Sequence, residues 1–79
     1  MLKSKVLVKY ILTTISIDSG GYKYSDGTDW YAFNTMEEAE DKATRDFMTI
    51  RNSLQERLGC SEQEAERKID DTLNEMLAD

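Results

Sequence analysis

Ser4-Lys5-Val6-Leu7-Val8-Lys9-Tyr10-Ile11-Leu12-Thr13-Thr14-Ile15-Ser16-Ile17 is the stretch on which the fold turns. It is rich in β-branched and aromatic residues and shows no helical period, so it reads as strand. Fourteen residues is long beside the usual ~five or six of a strand. A β-bulge near Thr13-Thr14 is therefore one reading of it, because a bulge breaks such a run and reverses the parity of its faces.

The turns beyond it set a register. Asp18-Ser19-Gly20-Gly21 carries turn residues, and Ser25-Asp26-Gly27-Thr28 separates Tyr22-Lys23-Tyr24 from Trp30-Tyr31-Ala32-Phe33. An Asp-Gly pair between strand-like runs signals a hairpin. A tight turn at Asp26-Gly27 puts Tyr24 opposite Asp29, Lys23 opposite Trp30 and Tyr22 opposite Tyr31. A Ser19-Gly20 turn puts Ile17 opposite Tyr22 and Ile15 opposite Tyr24. Opposed residues share a face. One face then holds Ile11, Ile15, Ile17, Tyr22, Tyr24, Tyr31 and Phe33. The other holds Val6, Val8, Tyr10, Leu12, Trp30 and Ala32, with Lys23 beside Trp30. Two short helices cover one face comfortably, so the second apolar face calls for the bulge, for helices on both sides, or for a partner.

The second half reads as helix. Thr35-Met36-Glu37-Glu38 is a capping box. Behind it Ala39, Ala43, Phe47, Ile50, Leu54 and Leu58 draw one apolar stripe, and Gly59 follows where a left-handed stop is favoured. Ser61-Glu62-Gln63-Glu64 is a second box, with Ala65, Ile69, Leu73 and Met76 behind it. The first helix is expected from about Met36 to Leu58, roughly 34 Å at 1.5 Å per residue. The pairs Glu38–Lys42, Asp41–Arg45 and Glu64–Lys68 have the acid-first i,i+4 spacing that supports a solvated helix. The expectation is an α+β fold of order βββαα in one domain over residues 1–79. A three-stranded antiparallel meander occupies about 4–34, and a helical hairpin about 35–78.

Composition narrows the function. The net charge is −6 over 79 residues. Residues 1–33 hold four basic groups and three acids, while residues 34–79 hold six basic groups and thirteen acids. Binding to nucleic acid needs clustered cations, so direct contact with it is not expected, whereas a basic protein surface suits this field. One cysteine fits a reducing compartment. No apolar run approaches ~20 residues, and Met1-Leu2-Lys3-Ser4-Lys5 does not open a secretory leader. A cytoplasmic location is expected.

No histidine is present, which removes the common triads, His-based acid–base catalysis and His-containing metal sites. The acids lie on helix surfaces rather than across a cleft, and Gly20-Gly21 is not followed by a helix as a phosphate loop would be. Asp18, Asp26 and Asp29 do not match a calcium loop. Cys60 fits better as an apolar contact closing the first helix against Leu54 than as a nucleophile. The expectation is no enzyme, no metal and no cofactor.

Two features could meet a partner. Five of the seven aromatics fall between Tyr22 and Phe33. Most suit the core of a small domain, while Trp30 beside Lys23 suits a half-exposed anchor. Glu37, Glu38, Glu40 and Asp41 crowd the first turns of a helix, where acids complement its dipole; they also suit an acidic ridge imitating phosphates. In size, acidity and lack of catalytic residues the chain resembles the small inhibitors encoded by phages and mobile elements, anti-CRISPR proteins and DNA mimics among them. That resemblance implies an inhibitor of a larger basic protein that handles nucleic acid. The alternative is a homodimer or assembly subunit pairing through Val6, Val8, Tyr10 and Leu12.

Overall fold

The computed structural model describes residues 4–77; Met1, Leu2 and Lys3, and the end of the second helix expected at 78, lie outside them. The elements are α1 (Lys5–Thr14), β1 (Ile15–Asp18), β2 (Gly21–Ser25), β3 (Trp30–Phe33), α2 (Met36–Leu58) and α3 (Glu62–Leu77). The α+β class and the three-stranded antiparallel sheet, ordered β1-β2-β3, are as expected. The order is corrected: a helix comes first, so the sequence of elements is αβββαα rather than βββαα.

The expected long first strand is mostly α1. Ser4, with extended dihedrals, caps it by accepting from the Leu7 amide at 3.0 Å. Leu7, Tyr10 and Ile11 fall on one side and are buried. Strand-like residues lower helix propensity by at most ~0.7 kcal/mol each, while burying a large apolar side chain contributes about 1.5–3 kcal/mol. Burial therefore wins. The Thr13 and Thr14 hydroxyls donate back to the carbonyls of Lys9 and Tyr10 at 2.7 and 2.6 Å. Ile15 turns extended, gives its N–H to the Ile11 carbonyl, and opens β1 with no loop between. No bulge at Thr13-Thr14 is needed, because these residues are not in the sheet.

The Ser19–Gly20 turn holds as expected, with Ile15 opposite Tyr24 and Ile17 opposite Tyr22. Gly21 is needed here: its φ is +123°, and a Cβ would come within 2.7 Å of the Phe33 carbonyl oxygen. The second hairpin is corrected. Its loop has four residues rather than two, so Tyr24 pairs with Tyr31, Lys23 with Ala32 and Ser25 with Trp30. Asp26 holds the wider loop by accepting from the Thr28 and Asp29 amides, both at 2.8 Å. A shift of two residues preserves parity, so the tyrosines remain on one face.

With α1 out of the sheet, the puzzle of two apolar faces disappears. Ile15, Tyr22, Tyr24, Tyr31 and Phe33 point toward the helices, whereas Ser16, Lys23, Ser25, Trp30 and Ala32 form an exposed outer face. The core is Leu7, Tyr10 and Ile11 of α1, Tyr24 of the sheet, Ala43 and Phe47 of α2, and Ile69 and Leu73 of α3.

α2 spans the expected residues. Thr35 accepts from the Glu38 amide at 3.2 Å, and Gly59 closes the helix at φ +61°, donating to the Gln55 carbonyl. The start of α3 is held by Ser61, which accepts from the Glu64 amide at 3.2 Å. Arg51 of α2, reaching Glu62 and Glu66 at 3.2 Å each, ties the two helices together. Lys9 ties α1 to α3 through Asp70 at 2.8 Å and through Asn74.

Candidate functional site

The outer sheet face is built by β2 and β3. Trp30, at the first position of β3, remains 65 % exposed, and the Lys23 ammonium lies 5.1 Å from its ring centroid. Lys23 reaches the ring diagonally, since Ala32 is its direct cross-strand neighbour. The same ammonium pairs with Asp18 at 3.1 Å. That hydrogen bond, together with the Gly20 amide, holds the Asp18 carboxyl below the usual carboxylate range. The result is a triad of carboxylate, ammonium and indole on an open face, whose cation–π contact restrains the ring without covering it.

The acids at the start of α2 are divided in role. Glu38 is committed to the cap, its carboxylate accepting from the Thr35 hydroxyl at 3.0 Å. Glu37 and Asp41 are exposed and have no ion-pair partner among the described residues; Glu40 is half-buried and engaged. The i,i+4 pairs are corrected. Lys42 turns to Asp46 at 3.2 Å rather than to Glu38, and no ion pair joins Asp41 to Arg45 or Glu64 to Lys68. Asp46 also accepts from the buried Tyr24 phenol.

Trp30 and the acids are not one patch. α2 packs against the sheet face carrying Tyr24 and Tyr31, and Trp30 stands on the other. β3 is an edge strand, and only its remaining residues with Asn34 and Thr35 separate Trp30 from α2. At ~3.3 Å per residue, the Trp30 backbone lies roughly 10 Å along the strand from that of Phe33.

The four residues expected to form one dimer face are also separated, because they lie on a helix. Tyr10 is buried, Val6 half-buried, Val8 41 % exposed and Leu12 73 % exposed. Val8 and Leu12, one turn apart, are what remains on the surface.

A polar chain that the sequence reading missed runs through the core. The Tyr10 and Tyr24 hydroxyls meet at 2.6 Å, and Tyr24 donates to Asp46 Oδ2 at 2.8 Å. With the Tyr24 proton committed to a carboxylate, Tyr10 donates to the Tyr24 oxygen. Lys42 completes the chain and lies 4.9 Å from the Tyr31 ring centroid. Burial first, and then the shared hydrogen bonds and the Asp46 charge, push the Tyr24 phenol far above its ordinary value; burial also raises Tyr10. Both phenols therefore stay protonated and act as donors. The signal for Asp46 was its position one residue before Phe47, beside the apolar stripe, but its partners come from other elements.

The remaining residues weighed for chemistry lie apart. Asp18 is at one end of β2 and Asp26 and Asp29 at the other, with Asp26 held below the usual range by the loop amides it caps. Cys60 is half-buried, and its thiol meets the Leu54 backbone carbonyl oxygen at 3.9 Å, a polar contact to the end of α2 where an apolar one was expected. No helix among the described residues is long and apolar enough to cross a membrane. Comparison with known proteins finds no matching family model, no matching curated protein and no matching solved structure.

Proposed function

We propose that this chain is a non-enzymatic protein-binding module that inhibits a larger, basic protein of nucleic-acid handling. The observation that carries the reading is Trp30, a large aromatic left on an open sheet face and held in place by Lys23. Exposed tryptophans of this kind are the residues that most often dominate binding energy when a partner covers them. Glu37 and Asp41, with no ion-pair partner among the described residues, supply an acidic edge on α2 that would speed encounter with a basic surface and make it salt-sensitive.

The test is capture of partners from the source cell's lysate at low and high salt, run in parallel with Trp30→Ala and with Glu37→Lys/Asp41→Lys. Recovery of a basic nucleic-acid-handling protein that both variants lose supports the reading. The same proteins recovered equally by all three chains would overturn it.

A second reading, self-association, is favoured by one observation: Val8 and Leu12 stand exposed on α1. On that reading the chain sediments as a dimer and Leu12→Glu returns it to a monomer. A wild-type monomer at high concentration rules it out.

A further inference from the structure

The apolar stripes of α2 and α3 are not fully covered. Ile50 and Leu54 of α2 and Ile69, Leu73 and Met76 of α3 line a cavity of about 320 Å³ with Tyr10 of α1, and the Ser25–Gly27 part of the β2–β3 loop bounds one side. This volume lies at the lower end of the roughly 300–1,000 Å³ typical of small-molecule sites. The cavity explains the exposure of Ile50 and Met76, which the helical spacing would otherwise have buried.

Among the described residues two charged side chains line it, and they are not equivalent. Asp26 is already engaged by the Thr28 and Asp29 amides. Lys68 has no ion-pair partner among the described residues, since Glu64, one turn before it, does not reach it. The net charge of −6 opposes an anion at long range, but beyond ~8 Å that field is screened at physiological salt. At the cavity itself Asp26 keeps its negative charge, with Oδ1 taken up by the loop amides. The Lys68 ammonium, without an ion-pair partner among the described residues, is the group that can meet an anion.

We propose that this cavity is a binding site for a small amphiphile with an apolar body and an anionic head. The body lies against Ile50, Ile69, Leu73 and Met76, and the head meets Lys68. The proposal is independent of the protein-binding reading, since neither Trp30 nor the acids of α2 take part.

The test is titration of the full chain with decanoate, decanol and decylammonium below their micelle thresholds, followed through side-chain methyl resonances. Decanoate is expected to shift Ile50, Ile69, Leu73 and Met76 saturably, and to bind about tenfold more tightly than either analogue, a difference of about 1.4 kcal/mol. Lys68→Glu, an exposed substitution whose folding is checked by circular dichroism, should abolish that preference while decanol binding persists. No saturable shift at these methyls overturns the site. Equal binding of decanol or decylammonium to the native chain, or a folded Lys68→Glu that still prefers decanoate, overturns the head-group assignment.

Discussion

Trp30 and Tyr24 are aromatic residues of neighbouring strands with opposite fates. Trp30 is the only tryptophan and stands on the outer face, so its emission should report water. We expect a red-shifted maximum and ready quenching by acrylamide; a blue-shifted, protected signal would contradict the exposed face. Trp30→Ala should change stability by no more than about 0.5 kcal/mol, as surface substitutions do, measured by urea unfolding. Tyr24 is fully buried and both gives and accepts a hydrogen bond. Tyr24→Phe leaves the Tyr10 hydroxyl without its acceptor and takes from Asp46 Oδ2 its donor, while Lys42 still donates to Oδ1. The expected cost is about 1–3 kcal/mol in the same assay. The raised phenol also sets a pH dependence. The unfolded chain loses this proton near pH ~10 while the folded chain keeps it, so the contribution is complete below that pH and is lost as pH rises beyond it. A melting temperature steady from pH 7 to 9 and falling above 10 is the expected profile, and Tyr24→Phe should flatten that fall.

Among the elements, α2 and α3 carry their own instructions, whereas α1 depends on its surroundings. Gly59→Ala should cost about 1–2 kcal/mol, because a Cβ is disfavoured at φ +61° even where nothing crowds it. In α1, Ser4→Ala removes the cap and should cost about 1 kcal/mol. Ile11→Ala opens a cavity against the helices and should cost about 2–5 kcal/mol. If the stretch were a strand end with an exposed Ile11, urea unfolding would show almost no effect. α1 forms because Leu7, Tyr10 and Ile11 have a core to enter, not because its residues favour a helix strongly.

For the whole molecule, the Tyr10–Tyr24–Asp46 chain and the Lys9 and Arg51 ties join helices and sheet across long sequence separations. A domain this small has a thin core, with total stability of the order of 5–15 kcal/mol at most. Amides of α1 should therefore exchange with solvent together with those around Ile69 and Leu73 in α3, in one cooperative opening. Native-state hydrogen exchange checks this. Earlier, independent exchange of Leu7 to Ile11 would mean that α1 docks as a separate unit.

The sequence by itself determined what is local. Thr35 and Glu38, Gly59, Ser61 and Glu64 mark the ends of α2 and α3 in chemistry that acts within one turn, and the 3.6-residue stripes mark their buried sides. The Ser19-Gly20 turn and the shared face of Tyr22, Tyr24, Tyr31 and Phe33 were legible for the same reason. Ser4 and the Leu7, Tyr10, Ile11 spacing were also present, but Val6, Val8, Thr13, Thr14 and Ile15 around them pulled the local balance toward strand. Only the tertiary structure decided that stretch, because a few tenths of a kcal/mol per residue of strand preference yields to burial of three large side chains. It also decided the outer face. Once α1 leaves the sheet, Trp30 and Lys23 stand on an open surface, Val8 and Leu12 on another, and the cavity beside Lys68 opens between elements that no local pattern relates.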